Sequence, residues 1–270
     1  MATWFRAAGK SGRVALVGAL VLAGVLTATP VTAAPAAAIP PIPCPTAPTG
    51  PDLLDSGPML MWSLSAYRVV TRNNYWSVVA TRGSQGYDPD IQLFDGVSQC
   101  MLGKSNQEGM PPTDWVAFDN NSGRLPVGTY PTRVVGRFTN TSPVKYQVQF
   151  VQGQRTLATS TPTVSQPIGD AYGDWVVDIR DVYLSAGSTY TFTVTGGLSA
   201  MHLLSSTATP ATWVKTPTTV GPSLVLPNPD LNVVQTGTLT HTATQSGWYG
   251  ALFVRNGWWG APVSVRVSTP

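Results

Sequence analysis

The stretch Tyr75–Asp95, YWSVVATRGSQGYDPDIQLFD, decides the fold class of this 270-residue chain. Every second side chain is apolar or aromatic in the runs 76–81 and 91–93, and the polar segment Gly83–Gly86 lies between them. A period of two, with turn residues between the runs, is the pattern of β-strands. The stretch therefore predicts either a β-hairpin or two consecutive strands of a sandwich.

The same period of two continues through the rest of the chain and predicts strands almost to its end. Outside residues 1–34, no segment of ten or more residues has the 3.6-residue periodicity of a helix. Turn signals such as Asp119–Gly123 separate the runs, so the predicted fold class is all-β. The predicted strands begin after Met59 and include 67–71, 115–118, 128–135, 145–151, 175–179, 182–184, 190–194, 201–204, 238–244, 247–254 and 261–267.

The strands repeat in the same order roughly 115 residues apart, which indicates two similar units. WSVV at Trp76 matches YTFT at Tyr190, and GTYPTRVV at Gly128 matches GWYGALFV at Gly247. Three further pairs correspond in the same way: the turns at Gly83 and Gly197, the strands at Ile91 and His202, and the strands at Tyr146 and Val263. The repeat predicts two tandem antiparallel β-sandwich domains of jelly-roll-like type, at residues 59–152 and 153–270.

The N-terminal segment carries an export signal followed by a linker. A positively charged start precedes the apolar run Val14–Leu26, and small residues follow it, as in a secretory signal peptide. Residues 1–34 are therefore predicted as the signal peptide, and 35–58, rich in proline and alanine, as an extended linker. The predicted location is secreted, either extracellular or cell-wall associated, and a retained N-terminal anchor is the alternative.

The charge balance excludes one class of partner. Three of the 16 Lys and Arg residues lie in the signal peptide, so the remaining chain carries 13 basic and 13 acidic residues. A chain with no excess of positive charge does not suggest binding to nucleic acid. After Leu26 no segment stays apolar for the roughly 20 residues of a membrane span. Neither nucleic acid nor a membrane is therefore expected as a partner once the signal is removed.

Cys44 and Cys100 are the only cysteines. An even number of cysteines in an exported chain predicts a disulfide, which here ties the linker to the segment after Asp95. Closing a loop of this length contributes about 4 kcal/mol in the chain-entropy model. Two free thiols are the alternative.

The repeated motifs resemble those of the bacterial pre-peptidase C-terminal domain family and its jelly-roll-like relatives. That family combines a YxDxDLxLYD-like strand with a final pair of strands of the form GxYxxxV and YxVxV. In the first unit, Tyr87–Asp95 is similar to the first motif, and Gly128–Val134 and Tyr146–Val148 are similar to the pair.

The second unit carries the resemblance less completely. Val182–Tyr190 and Gly247–Tyr249 fit the family pattern, but Ser199–His202 stands where the acidic pair belongs. The resemblance implies an accessory or binding module of a secreted protein rather than a catalyst.

Asp88, Asp90 and Asp95 form the acidic group that suggests a metal site. Carboxylates on alternate positions of one strand supply the hard oxygen ligands that Ca²⁺ needs. The alternative is that Asp88 and Asp95 cap turns at the ends of the strand. Calcium is therefore the cofactor that the sequence suggests.

Aromatic residues near the C-terminus form the candidate ligand-binding group. These are Trp248, Tyr249, Trp258 and Trp259, and the last two lie between glycines, as at the tip of a loop. Exposed aromatic rings bind sugars or another protein surface. The alternative is that the rings cover the end of a sandwich or the contact between the two domains.

Motifs of known catalytic sites are missing from the sequence. It has no Gly-x-Ser-x-Gly, His-Glu-x-x-His or phosphate-binding loop, and Glu108 is the only glutamate. The predicted function is a secreted, non-catalytic accessory, adhesion or binding module. One alternative is a carbohydrate-binding protein, and another is a hydrolase with an unrecognised site built on His202 or His241. The expected partner is cell-wall polysaccharide or another exported protein.

Overall fold

A computed structural model provides the structure, and its described part consists of β-strands joined by turns. The alternating runs form the strands, because one face of each run is apolar and packs into a core. The structure describes residues 44, 47–53, 59–61, 66–83, 87–107, 113–121, 124–138, 146–153, 156–159, 164–169, 174–206, 213–226, 232–257 and 260–269.

Eighteen strands lie within these described residues. In chain order they are β1 (Asp52–Leu53), β2 (Met59–Met61), β3 (Ala66–Val70), β4 (Trp76–Gly83), β5 (Tyr87–Phe94), β6 (Met101–Ser105), β7 (Thr113–Asp119), β8 (Thr129–Phe138), β9 (Tyr146–Gln152), β10 (Gln166–Ile168), β11 (Val177–Leu184), β12 (Thr189–Gly196), β13 (Ala200–Leu204), β14 (Val214–Lys215), β15 (Ser223–Val225), β16 (Gln235–Thr242), β17 (Gly247–Val254) and β18 (Val263–Ser268).

The first half of the chain, joined by the short strand β14 from the second half, forms a sandwich of two sheets. Sheet 1 has the strand order β1-β3-β8-β5-β6, and sheet 2 has the order β14-β7-β4-β9-β2. Their facing side chains form a buried apolar cluster that includes Ile91 and Leu93 of sheet 1 and Val79, Phe118 and Phe150 of sheet 2. We call this pair of sheets sandwich 1.

The second half forms sandwich 2 in the same way. Sheet 3 has the order β11-β17-β13-β15, and sheet 4 has the order β10-β18-β12-β16. The cluster between them includes Met201 and Phe253 of sheet 3 and Phe192 and Val265 of sheet 4. The fold is therefore all-β, with two β-sandwiches in tandem, as predicted.

The two sandwiches repeat the same topology strand for strand. The order β7-β4-β9-β2 of sheet 2 corresponds to β16-β12-β18-β10 of sheet 4, and β3-β8-β5-β6 of sheet 1 corresponds to β11-β17-β13-β15 of sheet 3. Apart from β1 and β14, each sandwich thus has eight strands in two four-stranded sheets, which is the jelly-roll arrangement. The short strands β1 and β14 are additions at the edges of sandwich 1.

The stretch that decided the fold class is a pair of consecutive sandwich strands, not a hairpin. β4 pairs with β7 and β9 in sheet 2, while β5 pairs with β8 and β6 in sheet 1. Both edges of β4 are occupied, so β5 has no free edge to join. The chain crosses from one sheet to the other between these two strands.

Sheets 2 and 3 pack face to face and form a third apolar cluster, which we call the seam. It contains Trp76, Val78, Ala80, Trp115 and Ala117 of sheet 2 with Val177, Ile179, Leu204, Leu252 and Val254 of sheet 3. β4 is consequently buried on both faces. Residues 43–270 form one compact unit, and the division into domains at residue 152 stays a prediction.

β11 is one strand of eight residues where the sequence pattern predicted two, at 175–179 and 182–184. The polar pair Arg180 and Asp181 looks like an interruption, but both residues are buried. Arg180 forms an ion pair with Asp178 at 2.7 Å, and Asp181 accepts the Trp76 N–H at 3.1 Å. Because these partners satisfy the polar groups, the strand continues through them.

The predicted disulfide between Cys44 and Cys100 is confirmed, with a Cα–Cα distance of 4.9 Å. Within the predicted linker, β1 lies at the edge of sheet 1 and runs parallel to β3. The predicted signal peptide at residues 1–34 lies outside the described residues. The described part of the chain contains no helix with the length and apolar character to cross a membrane.

Candidate functional site

Two exposed aromatic rings stand together on sheet 3 and form the candidate ligand-binding surface. Tyr183 of β11 and Trp248 of β17 are direct cross-strand partners, with 46% and 38% of their surfaces exposed. Their ring centroids are 5.4 Å apart and the planes meet at 76°, in an edge-to-face contact. We call this pair the aromatic platform.

The seam holds the backbone beneath the platform. The indole N–H of Trp76 donates to the carbonyl of Trp248 at 3.4 Å. Gly250, two residues further along β17, lies against the Trp76 ring, and a Cβ placed there would come within 2.8 Å of it. Side chains two apart share a face of a strand, so the ring of Trp248 continues the seam face beyond the point where sandwich 1 covers it.

A polar hollow of about 80 Å³ lies beside the platform. Its lining brings Arg124 of sandwich 1 together with hydroxyl, amide and backbone groups of sandwich 2. Arg124 donates to Asp119 Oδ2 at 2.7 Å and to the Ser206 carbonyl at 2.9 Å, so its guanidinium is fixed in place. The remaining lining residues are Ser205, Ser206, Thr244, Gln245, Ser246, Gly247, Trp248 and Tyr249.

Tyr249 was predicted as a ligand-binding residue, but the structure gives it a supporting place. Only 5% of its surface is exposed, because its ring packs into the core of sandwich 2. Its hydroxyl donates to the Gln245 carbonyl at 3.0 Å and so holds the turn that lines the hollow. Neighbouring strand residues face opposite ways, so Trp248 and Tyr249 cannot both lie on the surface.

The predicted ligand-binding residues Trp258 and Trp259 lie outside the described residues. The backbone on either side of them is held by two buried arginines. Arg82 donates to the Gly257 carbonyl, and Arg255 donates to the Ala261 carbonyl at 2.5 Å. Burial lowers the pKa of Arg82 to about 10, and Asp174 works in the opposite direction, so Arg82 stays charged at neutral pH.

The structure brings Asp88 and Asp90 of β5 together with Asp114 of β7. One oxygen from each carboxylate lies within 4.8 Å of the other two. Asp114 was not among the predicted metal ligands, because it comes from another sheet and from a strand that is otherwise mainly apolar. Only the packing of sheet 1 on sheet 2 reveals this group of three.

Asp95, the third predicted metal ligand, does not join this group. It lies five positions after Asp90 along an extended chain, a span of about 17 Å. Its carboxylate accepts the N–H groups of Val97 at 3.0 Å and Ser98 at 2.5 Å. Burial works to raise the pKa of Asp95, but these hydrogen bonds outweigh it and lower the pKa. The structure therefore supports the alternative, a turn cap, at this position.

His202 is the one histidine with a serine partner among the described residues. Its Nδ1 lies 2.8 Å from Ser223 Oγ, and the two residues are opposite each other on β13 and β15. Ser223 also donates to the Gly221 carbonyl at 3.2 Å, which leaves the histidine as the donor in their shared bond. Burial lowers the pKa of His202 to about 4. This arrangement is unsuited to removing a proton from Ser223.

Comparisons with known proteins add little to this geometry. No family model matches the sequence, and no curated protein matches it. The resemblance to the pre-peptidase C-terminal domain family therefore stays a prediction.

Two solved structures show a weak likeness to this chain, each at 10% sequence identity and each covering 76% of the length of this chain. One is a protein of Eubacterium rectale described as secreted, with a TM-score of 0.25 over 68% of that chain. The other is the N-terminal CBM22-1–CBM22-2 tandem domain of Paenibacillus barcinonensis Xyn10C, with a TM-score of 0.21 over 82% of that chain. At these scores neither likeness carries an argument about function.

Proposed function

We propose that this chain is an exported, non-catalytic binding protein whose ligand is a carbohydrate such as a cell-wall polysaccharide. The observation that carries the proposal is the aromatic platform beside the polar hollow. An exposed ring offers a flat apolar face to the C–H groups of a sugar, and it loses little conformational freedom when it does so.

The hollow supplies the second half of sugar recognition. Ser246, Gln245 and Thr244 offer hydroxyl and amide groups, and Arg124 offers a positioned guanidinium. Sugar hydroxyl groups need such donors and acceptors when they leave water. The combination fits a polar ring better than a purely apolar partner.

Replacing Trp248 or Tyr183 by alanine is expected to weaken polysaccharide retention. Loss of an aromatic anchor at the centre of a contact costs about 2 kcal/mol, which is roughly a thirtyfold rise in the Kd. The measurement is a pull-down on insoluble polysaccharides, followed by calorimetry with soluble fragments of those that retain the protein.

Val225→Ala serves as the matched control, because Val225 is 70% exposed on the edge strand β15 and lies outside the platform. It should bind as the wild type does. A Trp258→Ala/Trp259→Ala variant tests the residues that the sequence singled out. If no polysaccharide retains the wild-type protein, or if the platform variants bind as tightly as Val225→Ala, the proposal fails and an exported protein becomes the partner to seek.

The contact between His202 and Ser223 is the one observation that favours a hydrolase. A histidine whose pKa is about 4 is neutral at neutral pH, and such an imidazole is a weak proton acceptor. None of the described carboxylates hydrogen-bonds to His202, so the third group that would orient it is missing from this part of the chain. We therefore place the binding function first.

A further inference from the structure

We infer that Asp88, Asp90 and Asp114 form a site for a divalent cation at one end of sandwich 1, and that the cation is calcium. The inference does not rest on the proposed carbohydrate function, since this site and the aromatic platform have no residue in common. It differs from the set predicted from sequence by replacing Asp95 with a residue of the opposite sheet.

The separation of the carboxylates fits one ion between them. Their nearest oxygens lie within 4.8 Å of one another. Oxygens bound to one calcium ion lie at most about 5.2 Å apart, so three oxygens within 4.8 Å of one another can reach the same ion. Calcium is the inferred cation because it accepts irregular arrangements of oxygens, whereas magnesium demands a nearly ideal octahedron.

Asp114 provides the independent observation that points to a ligand. The residue is fully buried, and its Oδ1 accepts hydrogen bonds from the Ser105 hydroxyl and, at 2.8 Å, from the Gln107 N–H. Its Oδ2 has no hydrogen-bond partner among the described residues. A buried carboxylate oxygen without a partner costs free energy, and a cation coordinated by that oxygen removes the cost.

The electrostatics of the group also favour a bound cation. Three carboxylates this close repel one another when ionised. The double positive charge of a calcium ion offsets that repulsion.

Asp88 and Asp90 lie at the start of β5, before the part of the strand that pairs with β6 from Ile91 to Phe94. Asp88 and Asp90 are half-buried there. Three carboxylates do not complete the six to eight oxygens of calcium, so waters supply the others when the ion is bound.

The test is calcium binding by chelator-treated protein, measured by calorimetry and by the melting temperature. Calcium at about 1 mM, a concentration at which extracellular modules bind, should raise the melting temperature of the wild type by mass action. Asp114→Asn and Asp90→Asn should each raise the Kd for calcium about tenfold or more and remove most of the rise in melting temperature. Magnesium at the same concentration should raise it less.

Asp95→Asn is the matched control, because it removes a carboxylate from the turn that follows β5, outside the site, and it should bind calcium as the wild type does. In chelator, Asp114→Asn should melt no lower than the wild type, since it replaces a buried carboxyl by a neutral isostere. If it does not fold, the half-buried Asp90→Asn still tests the site. The inference is overturned if calcium leaves the wild type unchanged, if both site variants keep the wild-type Kd, or if magnesium acts equally.

Discussion

Replacing Trp76 by alanine is expected to lower the free energy of unfolding by about 3–5 kcal/mol, the cost of deleting a large buried aromatic side chain. Trp76 is fully buried in the seam, where it packs against Gly250 of the other sandwich. The loss should be measured by chemical denaturation. Unfolding is monitored by circular dichroism, because the substitution removes a fluorescent residue.

The control for this prediction is Trp248→Ala, which removes an exposed tryptophan. The Trp248 carbonyl that accepts the Trp76 indole N–H belongs to the backbone and remains in place. A surface substitution of this kind should cost less than about 1 kcal/mol. If the two alanine variants are equally stable, sheets 2 and 3 are not held together as the structure indicates.

A double-mutant cycle with Gly250→Ala tests the contact itself. Alone, this change forces a methyl group to within 2.8 Å of the Trp76 ring and should cost about 1–3 kcal/mol. In the Trp76→Ala background the same methyl group enters the vacated space, so its cost should largely disappear. Additive losses would contradict the direct contact.

The protein is expected to be more stable at pH 5 than at pH 8. Burial raises the pKa of Asp181 to about 7, although hydrogen bonds from Asn121 and the Trp76 N–H oppose this, and the charge of Asp119 raises it further. The pKa of Asp114 is also raised to about 7, mainly by burial. A folded state with a raised carboxyl pKa binds the proton more tightly than the unfolded chain does.

The sign of the effect follows from that difference in proton binding. The stabilisation from each carboxyl is fully present below pH about 4 and is lost as the pH rises to about 7. Between pH 5 and pH 8 the loss amounts to at most about 2–3 kcal/mol for each carboxyl. It is measured as a fall in melting temperature, in chelator so that a cation at Asp114 does not mask it.

Asp181→Asn isolates one of the two carboxyls. The amide is neutral at every pH, and its oxygen can still accept the Trp76 N–H that Asp181 now accepts at 3.1 Å. The variant should lose about half of the difference between pH 5 and pH 8, mainly by gaining stability at pH 8. Asp52→Asn, at an exposed ion pair with Arg68, should keep the whole difference. If Asp181→Asn keeps the whole wild-type difference in stability between pH 5 and pH 8, Asp181 is not the group whose titration causes it.

The candidate sites show where sequence patterns stop being informative. Trp248 was predicted to bind a ligand, and the structure exposes it. Tyr183 was missed, because an aromatic residue between Val182 and Leu184 looks like any strand residue until its cross-strand partner is known. A pattern in one strand does not show which of its faces a second sandwich covers.

The sequence by itself determined the all-β class, the disulfide and the tandem repeat of jelly-roll strands. These depend on short-range features: the period of two, the turn residues between the runs, and an even cysteine count behind a predicted signal peptide. Only the tertiary structure decided that β4 is buried on both faces, that Asp114 joins Asp88 and Asp90, and that Asp95 does not. Those outcomes depend on how separate sheets pack, and residues far apart in sequence set that packing together.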